Sequence, residues 1–276
     1  MKAERHILPT LAMIIGALTM GVATNVSFAE EDEDEIQFEE TEIFFELNDT
    51  DGDLGIHSLI DGDPWKKLIM KGPNDRRMLN VRVIGRLRRQ GLTEFFFESA
   101  EPPFDELAPQ TFFARFPAGE YNVEGRTLDG LEIEGETILT HTMPAPAEPT
   151  VNGTPMVEVC DDEDPDFVEL TPVTSPVTIA WPDVTMSHPD ADGAGAGVQP
   201  PIPVTIHNYE VVVEAELETA DGEEFVSVFS VILPPGVNSM TIPDEFIDLA
   251  DEFKYEVLAR EESFNQTAVE SCFAVD

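Results

Sequence analysis

The chain has 276 residues, 56 of them acidic and 15 basic, for a formal net charge of −41. That length accommodates one or two domains, each able to bury its own core, and an apolar fraction of 42% is too high for a disordered acidic tail. So negative a chain repels phosphate backbones and anionic lipid alike, which excludes sequence-independent nucleic-acid binding. The partners expected are proteins or a second copy of the chain.

In chain order, Lys2 and Arg5 precede an apolar run from Ile7 to about Val22, and Ser27-Phe28-Ala29 places small residues around a cleavage point. This is the three-part form of a signal peptide over residues 1–29, too short and too interrupted by Pro9 and Gly16 for a permanent span. The expected location is secreted, periplasmic or on the cell envelope, with no stable membrane insertion after cleavage. Residues 30–35 form an acidic leader. Past it stand four lysines against nine arginines, and low Lys with abundant acid suits a halophilic setting in which salt screens self-repulsion.

Residues 36–143 alternate in short runs that predict seven strands: Ile36–Leu47, Gly55–Ile60, Trp65–Met70, Met78–Leu87, Leu92–Phe97, Gly119–Glu124 and Leu131–Thr142. Asp51-Gly52, Asp61-Gly62, Gly72-Pro73-Asn74 and Asp129-Gly130 supply turns between them. One helix is predicted over Asp105–Phe116, with Leu107, Phe112, Phe113 and Phe116 near one face. Residues 144–150, rich in proline, read as a stiff linker to a second domain.

Residues 151–276 predict strands at Val177–Pro182, Ile206–Val213, Glu224–Leu233, Ser239–Ile242, Phe253–Arg260 and Thr267–Val275. Cys160 and Cys272 are the only cysteines, and an even pair in an oxidising compartment predicts a disulfide. Trp181 on an early strand, Tyr209-Glu210-Val211, Leu249, and the late Tyr255-Glu256-Val257-Leu258-Ala259 resemble a fibronectin type III domain. The resemblance implies an immunoglobulin-like sandwich in which the Tyr255 hydroxyl bonds back to upstream backbone. The whole chain is similar to exported bacterial proteins that join an N-terminal β domain to such a module. The expected fold class is all-β, with two sandwiches in tandem.

Three constellations bear on chemistry. Asp49, Asp51 and Asp53, with Asp61 and Asp63, offer hard oxygen ligands for Ca²⁺. Leu54 and Ile60 stand where a calcium-binding EF-hand loop needs Gly and Glu, which rejects that motif. Residues 66–89 hold a basic island: Lys66, Lys67, Lys71, Arg76, Arg77, Arg82, Arg86, Arg88 and Arg89, with Asp75 the sole acid. Two readings stand: internal pairing with Glu132, Glu134 and Glu136, or docking of an acidic partner. His57, His141, His188 and His207 are scattered, and no catalytic motif appears. The expected function is therefore a non-catalytic interaction or adhesion-type protein. The alternatives are a calcium-dependent ligand or carbohydrate module at residues 49–63, and a secreted hydrolase without a sequence signature.

Overall fold

The computed structural model describes residues 35–157, 159–160, 164–189, 201–219 and 221–276. The expected signal peptide, the leader up to residue 34 and positions 190–200 of the Gly/Pro-rich loop lie outside the described residues. Among the described residues fifteen strands dominate: β1 (Glu35–Gln37), β2 (Glu40–Asn48), β3 (Asp53–Gly72), β4 (Arg76–Arg82), β5 (Leu92–Glu98), β6 (Gly119–Thr127), β7 (Glu132–Leu139), β8 (Thr150–Val151), β9 (Thr154–Pro155), β10 (Thr178–Ala180), β11 (Ile206–Glu218), β12 (Glu224–Leu233), β13 (Ser239–Thr241), β14 (Glu252–Glu261) and β15 (Gln266–Ala274). Two short helices, α1 (Pro109–Phe113) and α2 (Asp244–Ile247), complete an all-β, sandwich-like molecule. No helix of the described residues is long and apolar enough to cross a membrane.

Several elements differ from the sequence expectation, each for a local reason. The run Ile36–Leu47 breaks at Phe38-Glu39, where the backbone changes partner: Phe38 N donates to Glu134 O and Glu39 N to Asp61 O. Asp61-Gly62-Asp63-Pro64 is no hairpin turn, because β3 runs straight through it for 20 residues. Its first half pairs with β2 and β5 and its second half with β4 and β6. Gly62 is buried at this switch, where an added Cβ would meet Phe38 Cδ1 at 3.0 Å. The first helix begins only at Pro109, since the preceding Ala108 is held extended (φ −55°, ψ 140°) as residues before proline prefer.

The partner changes at Phe38-Glu39 and within β3 divide the strands into two layers. One layer runs β1-β7-β6-β3-β4 through the second half of β3. The other runs from β5 through the first half of β3 and β2, then on through β15, β14, β11 and β12. The step from β2 to β15 is a parallel ladder matching Glu46–Asn48 with Gln266–Ala268. Residues aligned in a ladder point to the same face, so Leu47 and Thr267 turn inward together while Glu46 and Gln266 turn outward. A small sheet, β13-β10-β8-β9, faces the second half of this shared layer.

Two hydrophobic cores result. One gathers Ile43, Phe45, Leu47, Trp65, Phe112, Phe113 and Tyr121, and the other Trp181, Tyr209, Val211, Tyr255, Val257 and Phe273. Residues 144–150 run between them tied to their neighbours: Ala145 N donates to Met186 O, and Thr267 Oγ1 donates to Pro144 O at 2.7 Å. All described residues belong to one compact unit.

Candidate functional site

The basic island occupies a sheet edge. β4 pairs with β3 alone among the described strands, and β3 separates it from β6 and β7. The expected ladder from the island's arginines to Glu132, Glu134 and Glu136 therefore does not form, because two strands intervene. Glu132 instead takes Arg126 from its neighbour β6. Across β4 and β3 the register sets like charge against like: Arg82 faces Lys67 and Arg77 faces Lys71. On its other side Lys67 faces Arg126. Lys71 is relieved by Glu124, and Lys66 Nζ donates to Leu128 O at 3.1 Å. Lys67, Arg76, Arg77, Arg82, Arg86, Arg88 and Arg89 make no ion pair among the described residues.

Beyond β4 the chain leaves the sheet. Gly85 sits at φ +62°, and Leu87–Arg89 form a single tight helical turn. Arg86, Arg88 and Arg89 stand exposed there, interleaved with Ile84 at 72% exposure and Leu87 at 49%.

The shared layer carries the opposite charge on its outer face. At the β2–β3 turn, Asn48 Oδ1 accepts from Thr50 N at 3.0 Å and from Asp51 N at 3.2 Å. Asp49 pairs with His188 at 2.7 Å, Asp51 is exposed, and Asp53 opens β3. Asp61 lies eight residues farther along the same strand, roughly 25 Å away at strand spacing, and its carboxylate accepts from Gly62 N. Asp63 is exposed two positions beyond. The five aspartates do not gather at one point, so the expected calcium set is not assembled.

What the register does gather is Glu46, His57 and Glu101. Glu46 lies opposite Gly55 and Phe44 opposite His57, so two residues of β3 and two of β2 share the outer face. His57 is buried, with Nε2 2.9 Å from Glu101 Oε1 and Nδ1 3.6 Å from Glu46 Oε2. Burial pulls the imidazole down, but the bond to Glu101 and the charges of Glu46 and Glu101 outweigh it and hold His57 above its ordinary value. Burial pushes Glu46 up, and Asp53 is raised to about 6 by burial together with Glu101, Asp51, Glu270 and Glu46. Farther across the layer Glu256 lies opposite Glu270, and burial with Glu46, Glu270, Glu210 and Glu214 raises it to about 8. The sequence signals this belt only through the Asp51-Gly52 turn that fixes the β2–β3 register; the approach of β15 has no local signature.

The remaining expected residues are placed as follows. Cys160 and Cys272 form a disulfide with Cα atoms 5.8 Å apart. Trp181 is buried against Tyr209, whose hydroxyl accepts from Val184 N at 3.0 Å. The corner bond implied for Tyr255 is not made, since its buried hydroxyl reaches no backbone group, and Leu249 is exposed. His141 stacks on Phe113 and His207 meets Phe264 edge-on.

No protein-family model matches the chain, and no curated protein matches it. Among solved structures it is similar to a tetra-tandem repeat in the extending region of a large adhesion protein, at 10% identity and a TM-score of 0.22, over 86% of this chain and 50% of that one. It is also similar to a 1.5-MDa bacterial ice-binding adhesin at 10% identity and a TM-score of 0.20, over 86% and 64% of the two chains. A third likeness is to a Ca²⁺-stabilized adhesin of an Antarctic bacterium, at 11% identity and a TM-score of 0.21, over 85% and 49%. The chain spans 49% to 64% of the length of these structures.

Proposed function

We propose that this chain is an exported, non-catalytic interaction protein that docks an acidic protein partner through the arginine edge of β4 and the turn after it. The observation that carries the reading is the like-charge register, with Arg82 against Lys67 and Arg77 against Lys71. Like charges directly opposite on a sheet destabilise it, and a chain with 56 acids has the means to neutralise them internally. A carboxylate-bearing partner would supply the missing counter-charge while covering Ile84 and Leu87. The Cys160–Cys272 bond supports an oxidising compartment such as the periplasm or the exterior.

The test is capture from envelope and culture fractions with immobilised full-length protein, comparing wild type with the triple variant Arg82→Glu, Arg86→Glu, Arg88→Glu at low and high salt. Wild type is expected to retain a protein at low salt that high salt releases and that the variant fails to hold. Equal retention by wild type and variant would remove the edge from the proposal.

A further inference from the structure

We propose that Glu46, His57 and Glu101 form a binding site for a divalent transition-metal ion of the zinc class, each side chain giving one donor atom. The three donors come from β2, β3 and the segment after β5, and one ligand atom from each lies within 4.8 Å of the others. A tetrahedral zinc site with bonds of about 2.0–2.1 Å needs donor separations of about 3.3 Å. Glu101 already stands 2.9 Å from Nε2, and Glu46, now 3.6 Å from Nδ1, swings to the same ion by side-chain torsion, its side chain being 21% exposed.

The imidazole is the fixed member. It is held between Phe44 and Phe96, with ring centroids at 5.4 and 6.0 Å, and only its two nitrogens meet polar neighbours. The carboxylates are seated as well. Gln266 Nε2 donates to Glu46 Oε2, the kind of outer contact that orients a ligating carboxylate. Glu101 occupies the space above Gly55, where any Cβ would stand 2.0 Å from its Oε1. Among the described residues no lysine or arginine pairs with Glu46 or Glu101, and His57 is the basic side chain that meets both. An imidazole with two carboxylates suits zinc and its neighbours in the transition series. Ca²⁺ asks for six to eight oxygens and has no use for the nitrogen.

This inference is independent of the arginine edge. It is tested on the full, disulfide-intact chain, stripped with chelator and titrated calorimetrically with zinc chloride. Wild type is compared with Glu101→Gln, with His57→Gln, and with Asp129→Asn as a distant surface acid. One Zn²⁺ per chain is expected, weakened at least tenfold by Glu101→Gln and by His57→Gln, unchanged by Asp129→Asn, and not displaced by millimolar Ca²⁺. Glu101→Gln alone decides the matter if loss of the buried imidazole unfolds the chain, which circular dichroism will show. No zinc uptake, equal uptake by wild type and Glu101→Gln, or displacement by Ca²⁺ would each overturn the assignment.

Discussion

Asn265 is wholly buried between the two cores. Its side-chain oxygen accepts from Phe45 N at 2.8 Å, and its amide donates to Thr140 O at 3.2 Å and to Thr142 O at 2.9 Å. Replacing it with alanine strands several buried backbone groups, each costing about 1–3 kcal/mol when left unpaired. Asn265→Ala is therefore expected to lower stability by about 2–4 kcal/mol in a urea titration, and a loss below 1 kcal/mol would contradict this role. Glu256 gives the second residue-scale expectation. Its carboxyl is raised to about 8 in the folded chain, so the folded state holds a proton that the unfolded state releases near its ordinary value. Its contribution is complete at acid pH and is lost as pH rises through 8. Glu256→Gln keeps the neutral form at every pH. It is expected to flatten the decline of thermal stability between pH 5 and 9 and to gain on the order of 1–2 kcal/mol at pH 9.

At the scale of elements, the two sheet edges differ in charge. Arg82→Glu sets a carboxylate against Lys67 and is expected to raise stability by a few tenths of a kcal/mol while weakening partner capture. A merely structural arginine would lose stability instead, and urea midpoints separate the two. The far edge is unlike it. In β12, which pairs only with β11 among the described strands, Glu224 is the one charged residue, and Val226, Val228 and Ile232 are all more than half exposed. Long uncharged edges template further strand pairing. Val228→Lys is expected to reduce light scattering at high protein concentration without moving the melting temperature. Equal scattering would show that this edge is not the route of association.

Elements were also where the sequence spoke most clearly. Alternation located β5, β12, β14 and β15 to within a residue at each end, and ended β11 at Val213, five residues before its last residue Glu218. It divided β3 in two, because the Asp-Gly and Asp-Pro pairs that usually make hairpins here serve a strand changing layers. The acidic belt was illegible for a different reason. Glu46, Glu101, Glu256 and Glu270 meet through strand pairings between distant parts of the chain, and no window of sequence contains them together.

At the scale of the molecule, two cores share one layer, so neither can lose its strands without uncovering the other. A single unfolding transition is expected by calorimetry, with the van't Hoff enthalpy matching the calorimetric one. Two resolved peaks would show that the cores melt separately. The parallel ladder between β2 and β15 has a mechanical side too. Tension applied upstream of β2 and downstream of β15 runs along the paired strands, so the hydrogen bonds from Glu46–Asn48 to Gln266–Ala268 are loaded in shear and must yield together. With Thr50 Oγ1 accepting from Glu270 N just past the ladder, the join resists a pull along the sheet better than a zipper of the same bonds opened one at a time.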